Sequence, residues 1–209
     1  ADADYEYQVL SIVRNESQRW LNDFIIRCAA KDGCLMAVIE AIETVYLEAD
    51  AASVTFSSLG SYEHLQLRMN LRTLRASNYE TVGIRFNGDT ANNYSTQRMY
   101  GTDTSTAAGP ETATDRALAA GQMVTATMYP RTVYGSAIVD ILDYRNASKN
   151  TTLMFFSANV GTSEDPYVTF GSGLWDATTA VSTILLYPAN GSAGFTRGSE
   201  FTLYGLKSS

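Results

Sequence analysis

The sequence predicts a mainly β protein, a jelly-roll-like antiparallel β-sandwich preceded by one N-terminal amphipathic α-helix. Three observations predict it. Helical periodicity is sustained only over residues 5–29; from Met36 onward short apolar runs alternate with turn-forming residues; and 45% hydrophobic against 18% charged residues in a chain of 209 allows a sizeable core.

In the helical segment Val9, Leu10, Val13, Trp20, Leu21, Phe24 and Cys28 fall on one face at about 100° per residue. Arg14, Asn15, Gln18 and Asn22 lie opposite, and Gly33 offers a stop. Residues 1–35 therefore read as a helical arm and 36–209 as the sandwich domain. Val45–Leu47 leads through Ala49–Ala52 into Val54–Phe56, which reads as a first strand pair. A longer strand follows, with Leu65, Leu67, Met69 and Leu71 on one face and His64, Gln66, Arg68, Asn70 and Arg72 on the other. Further strands are expected at 81–86, 97–100, 123–129, 136–144, 151–158, 167–170, 180–187 and 200–206. Turn chemistry such as Asn87-Gly88-Asp89, Gly109-Pro110 and Asn190-Gly191 separates them. The Thr-, Ala- and Gly-rich stretch 101–115 reads as an exposed loop. About ten punctuated strands argue for two packed sheets.

Charge narrows the function. Fifteen basic against 22 acidic residues give a net charge of −7, without the Lys/Arg cluster that a nucleic-acid partner requires. No run of 18 uncharged apolar residues marks a membrane span, and the acidic start does not read as a signal peptide. Cys28 and Cys34 are the two cysteines and His64 the one histidine, so a His/Cys zinc site is not expected. The lone histidine also removes the base of a hydrolase triad, and neither a nucleophile elbow nor a phosphate loop is present.

The best carboxylate pair for glycosidase chemistry is Asp140 and Asp143, whose opposite parity points them to opposite sheet faces. No catalytic residue and no enzymatic activity are therefore expected. Asn87, Asp89, Asn92 and the neighbouring Tyr94 form a candidate glycan- or cation-binding loop, because oxygen ligands at alternate positions suit calcium. The twelfth-position glutamate of a calcium loop is missing, with Arg98 in its place, and Asn, Gly and Asp build such turns without metal. No cofactor or metal is otherwise expected. Thirteen tyrosines offer rings for sugars or for a protein interface. The apolar face of the arm, Val9, Val13, Trp20, Leu21 and Phe24, is the candidate partner-binding element, laid into a groove of a neighbouring protein.

Several segments, in order, resemble a β-sandwich domain of tailed-bacteriophage virion structural proteins of the head-decoration or tail-fibre type. They are Val54–Leu59, Tyr62–Arg68, Ile84–Asp89 with Asn93–Ser95, Ile138–Tyr144, Ser172–Trp175, and the ending Phe195, Gly198-Ser199, Phe201 and Leu203–Leu206. The resemblance covers about residues 44–206. It leaves residues 1–35 outside, so these read either as an added anchor or as an upstream extension of a domain starting at Met36.

The resemblance implies a virion location and an oligomer, and no catalytic residues. The expected function is a non-enzymatic capsid decoration or cement protein on the virion surface, assembled in the bacterial host cytoplasm. Its expected partners are other virion proteins, foremost the major capsid protein, and further copies of itself as a trimer or dimer. The alternative is a tail-fibre or head-fibre module that recognises host surface glycans. Neither nucleic acid nor membrane is an expected partner.

Overall fold

Alternating apolar residues dictate most of the architecture. The computed structural model describes residues 38–77, 79–123, 125, 133–159, 166–191 and 193–207. Among these residues there are twelve strands and no helix. The strands are β1 (Val38–Tyr46), β2 (Val54–Phe56), β3 (His64–Leu71), β4 (Glu80–Phe86), β5 (Tyr94–Gly101) and β6 (Thr106–Thr114). They continue with β7 (Ala117–Met123), β8 (Gly135–Leu142), β9 (Thr151–Asn159), β10 (Tyr167–Trp175), β11 (Ile184–Pro188) and β12 (Glu200–Lys207). Ile39–Lys207 forms one compact unit. The expected helical arm, with Val9, Val13, Trp20, Leu21, Phe24 and both cysteines, lies outside the described residues.

Two sheets make a β-sandwich of unequal layers. The large sheet runs β1-β12-β3-β8-β9-β10-β5-β6 and the small one β2-β11-β4-β7. The ladders β10-β5, β10-β9, β11-β2, β11-β4, β12-β3, β3-β8, β4-β7, β5-β6 and β8-β9 are antiparallel. In β3 the expected alternation is present: Leu65, Leu67, Met69 and Leu71 are buried, while Gln66, Arg68 and Asn70 face the other way; Arg72, expected beside them, lies past the strand's end and is buried. Between the layers lie Phe56, Phe86, Phe155, Phe195, Phe201, Tyr144 and the aliphatic residues around them. Phe195 and Phe201 meet edge to face at 4.9 Å, and Trp175 packs on Phe86 and Tyr94 at 5.6 and 6.2 Å.

Three expectations are corrected. Val45–Leu47 and Val54–Phe56 do not pair: β1 borders β12 in the large sheet, whereas β2 borders β11 in the small one. The chain changes sheet at Ala51, whose N–H and C=O exchange bonds of 3.1 and 2.8 Å with Phe195. Gly194, at φ +147°, permits this approach, since a Cβ there would lie 2.3 Å from the Ala51 oxygen. The expected loop 101–115 is largely strand β6, paired with β5 from Gly101–Thr106 to Tyr94–Thr114. As an edge strand it has one ladder neighbour and no need of an apolar period, and it tolerates Pro110. Third, a strand is present where none was expected, β7 from Ala117; the expected strand 123–129 meets it only at Met123, and residues 124 and 126–132 lie outside the described set.

The Ala-Leu-Ala-Ala-Gly run of β7 lacks alternation because Ala117 to Gly121 are all buried. Pairing β4 through Glu80–Met123, Val82–Ala120 and Gly83–Leu118 leaves one extra β7 residue on each side of Ala120. The large sheet reaches in at these bulges, where the Leu118 N–H donates to Thr96 Oγ1 at 3.1 Å and the Gly121 N–H to Ser157 Oγ at 3.0 Å.

Candidate functional site

Strands that line a core on one side and water on the other alternate apolar with polar residues. β8, β9 and β10 depart from this rule, because most of their outward positions are apolar as well, with Ser136, Asp140, Thr152 and Ser172 as the polar ones. Their inward residues include Val139, Ile141, Leu153, Phe155 and Trp175. Pointing the other way are Ile138 and Leu142, Met154 and Phe156, and Val168 and Phe170, joined from β5 by Met99. These seven side chains are 40–58% exposed. Register aligns four of them in a single row across the sheet, since Ile138 opposes Phe156, Phe156 opposes Phe170, and Phe170 opposes Met99. The seven together present on the order of 700 Å² of apolar surface, larger than the roughly 300–600 Å² of the largest patch on a typical monomer.

Toward β6 this face deepens into a groove of about 540 Å³. Leu142, Met154, Leu174 and Pro110 supply its apolar lining, and Ser95, Gln97, Thr112, Thr152 and Ser172 its polar groups. The nearest charged side chains in the sheet are engaged within the chain. Asp140 accepts from Gln66 Nε2 at 2.7 Å, while Arg68 donates to Gln66 Oε1 at 3.0 Å and sits 5.0 Å above the Tyr204 ring. Phe156 and Phe170 at the centre of the face carry no charge in a chain of net charge −7, and Asp140 stands to one side of them on β8.

The loop singled out in the sequence is a tightly bonded turn. Asn87 and Gly88, at φ +54° and +69°, form a tight turn of the Asn-Gly type, closed by Asp89 N–H donating to the Phe86 carbonyl at 2.9 Å, and it carries the chain from β4 in the small sheet to β5 in the large one. Asn87 Oδ1 accepts from Ser182 and Thr183. Asp89 accepts from the Ala91 N–H at 2.9 Å, Asn93 Nδ2 at 2.9 Å and the Trp175 indole at 2.8 Å. These three donors, the Ala91 amide first, hold its carboxyl below the usual range. Tyr94 is fully buried, and its hydroxyl accepts from the Phe86 N–H at 3.1 Å. Burial pushes that phenol up to about 12. Asn87, Asp89 and Tyr94 therefore converge as a buttress, whereas Asn92 stands exposed at the tip.

A second cluster gathers Glu63, His64 and Asp143 at the open end of β8, with possible ligand atoms within 4.8 Å of one another. His64 Nδ1 accepts from the Asp143 N–H at 2.9 Å, and Lys149 forms an ion pair with the Asp143 carboxylate. Lys149 is the first cause of that carboxyl's lowered pKa. Asp140 and Asp143 have separate partners, Gln66 for the first and Lys149 with His64 for the second. Glu80 escaped sequence reasoning: it is wholly buried at the start of β4, and burial raises its pKa. Its Oε1 accepts from the Thr81 and Asn190 N–H groups at 2.9 and 3.0 Å, and its Oε2 has no hydrogen-bond partner among the described residues. Nothing in the run Tyr79-Glu80-Thr81 signals this.

No family model matches the sequence, and no curated protein is similar to it. Among solved structures the chain is similar to a GH43 glycoside hydrolase engineered to display both endo-xylanase and exo-arabinofuranosidase activity, at 11% identity and TM-score 0.33. That match covers 79% of this chain and 34% of the other, so the chain spans about a third of the hydrolase's length. It is also similar to an alginate lyase from a Chlorella virus, at 8% identity and TM-score 0.29, over 86% and 90% of the two chains. A structure of infectious bursal disease virus matches at 9% identity and TM-score 0.11, over 84% and 43%. The expectation that the chain is not an enzyme is corrected by the first two, both of which are enzymes. At these TM-scores the likeness does not extend to a reaction or a substrate.

Proposed function

We propose that the chain is a structural component of a tailed-bacteriophage virion, carried on the particle surface as a capsid decoration or cement protein with the major capsid protein as its partner. One observation carries this reading, the apolar face of β8, β9, β10 and β5 that is exposed among the described residues. Strands apolar at both parities belong in a sheet covered on both sides, and a patch of this extent marks a protein–protein surface. The ordered segments that resemble phage virion proteins support the same reading. In it the sandwich is jelly-roll-like, with sequence-distant strands as neighbours (β12 beside β3, β10 beside β5, β11 between β2 and β4). Residues 1–35 serve as a helical arm that grips the shell through Val9, Val13, Trp20, Leu21 and Phe24.

Cryo-electron microscopy of particles carrying the full chain, beside particles offered a chain lacking residues 1–35, tests the assignment. Regular density on the capsid that disappears with the arm is the expected result. Density confined to the tail overturns the capsid location, and capsid density that persists without the arm overturns the anchor.

The groove beside β6 favours a second reading, a fibre module that binds host surface glycans, because Gln97, Ser172 and Thr152 border an apolar floor. Calorimetric titration with host-surface polysaccharide distinguishes it. Binding lost in Gln97→Ala supports the glycan module, and no heat with the unaltered chain removes it.

A further inference from the structure

We propose that the apolar face of the large sheet is covered by the same face of a second copy of this chain, so that the protein works as an isologous dimer. This deepens the docking-surface reading above and rests on it.

The order of side chains in the exposed row carries the choice of partner. Across β8, β9, β10 and β5 the row reads Ile138, Phe156, Phe170, Met99. That is aliphatic, aromatic, aromatic, aliphatic, and it is symmetric about the boundary between β9 and β10. A two-fold axis running along that boundary, between two facing sheets, turns each β10 over the other copy's β9. Phe156 of one copy then lies on Phe170 of the other, and Ile138 on Met99. An isologous interface requires this kind of self-complementarity, the same patch serving on both sides. Facing sheets pack about 10 Å apart with their strands within about 30° of alignment, and the apolar side chains fill the gap.

Area and charge agree with it. The roughly 700 Å² of exposed apolar side chain is close to the approximately 800 Å² that each partner contributes to a standard interface. Each copy carries −7, so association must happen where the surface is neutral, and this face is neutral at its centre. Arg68 and Asp140 lie on the β3 and β8 flank, both engaged by Gln66. Because repulsion between two acidic copies is screened by salt, dimerisation tightens as ionic strength rises, the reverse of docking onto a basic partner.

The test is sedimentation velocity of the full chain over a range of concentration and salt, beside Phe156→Glu combined with Phe170→Glu. Both phenylalanines are about half exposed, so the double variant keeps its fold, which near-ultraviolet circular dichroism checks. A concentration-dependent dimer that strengthens with salt and is lost in the double variant is expected. Geometry is tested separately in a Cys28→Ser, Cys34→Ser background with a bismaleimide cross-linker, chosen with a reach of about 10 Å to match the sheet separation. A mixture of the Ile138→Cys and Met99→Cys chains cross-links, whereas neither chain alone does.

A dimer that survives the double variant, or cross-linking of either single-cysteine chain alone, overturns the proposal. So does a monomer at every concentration, and a hydrophobic dye then separates the causes. If the monomer's face binds dye and loses it in the double variant, the docking surface stands and its occupant is another protein. If dye binds only after residues 1–35 are removed, the occupant is this chain's own N-terminal segment. If no dye binds in any form, the docking-surface reading falls as well.

Discussion

The Ser157 hydroxyl satisfies both backbone groups of Gly121 at once, accepting from its N–H at 3.0 Å and donating to its C=O at 2.9 Å. Ser157 belongs to β9 in the large sheet and Gly121 to β7 in the small one. The pair therefore replaces, across the sandwich, the ladder bonds that the β7 bulge gives up. The glycine is required for contact, since a Cβ at position 121 would lie 2.5 Å from Thr169 Cγ2.

Ser157→Ala leaves a buried N–H and a buried C=O without that partner. With about 1–3 kcal/mol for each unsatisfied buried group, the substitution is expected to lower unfolding free energy by roughly 2–3 kcal/mol. Urea denaturation measures it, with exposed Ser136→Ala as a control expected to stay within about 0.5 kcal/mol.

How far the sequence foretold this structure depended on whether one face of a strand was wet. β3 was legible because Leu65, Leu67, Met69 and Leu71 alternate with polar residues, and the turn at Asn87-Gly88 was legible from its residues alone. β7 was not, since five small or apolar residues buried in succession show no period of two, and β6 was not, since an edge strand of Thr and Ala needs none. The candidate face had the same weakness. The segments containing Ile138, Phe156 and Phe170 were foreseen as strands, yet apolar residues at both parities do not say which parity faces out. Only the register that sets these three beside Met99 reveals a surface.

Glu80 sets a pH dependence of known sign. Burial is the first cause that raises its pKa, outweighing the bonds from Thr81 and Asn190 and the nearby Arg75. A raised folded-state pKa means stability that is fully present below the unfolded value, near 4.3, and is lost as pH rises through the folded value. Glu80→Gln keeps an oxygen for the Thr81 and Asn190 amides and removes the charge. The variant is expected to be more stable than the parent at pH 7 and to lose that advantage near pH 4, as read from urea midpoints across the range.

Asp89 has the opposite sign. Its lowered carboxyl contributes stability that is present above the unfolded value, about 3.9, and is lost as pH falls through the folded one. Asp89→Ala strips the indole N–H of Trp175 of its acceptor and is expected to cost about 2 kcal/mol at pH 7. The gap between parent and variant should narrow in acid below about pH 4. Because both oxygens already serve internal donors, calcium is expected to leave the parent's melting temperature unchanged.

Tyr62 lies on Gly205 of β12 so closely that a Cβ there would be 2.1 Å from the ring. From that position its hydroxyl donates to Glu40 of β1 at 2.8 Å, and Lys207 Nζ sits 5.0 Å over the ring. One aromatic residue from the connection before β3 thus clamps edge strand β1, a placement possible only because position 205 has no side chain. Gly205→Ala must lift the ring away, at a cost of about 1–3 kcal/mol by overpacking, and must break the bond to Glu40. Amide hydrogen exchange is expected to accelerate in β1 more than in β8 or β9, which lie away from the clamp. Tyr62→Ala releases β1 by itself, so the double variant should be no less stable than Tyr62→Ala alone. An additive double variant would show that the two residues do not act through this contact.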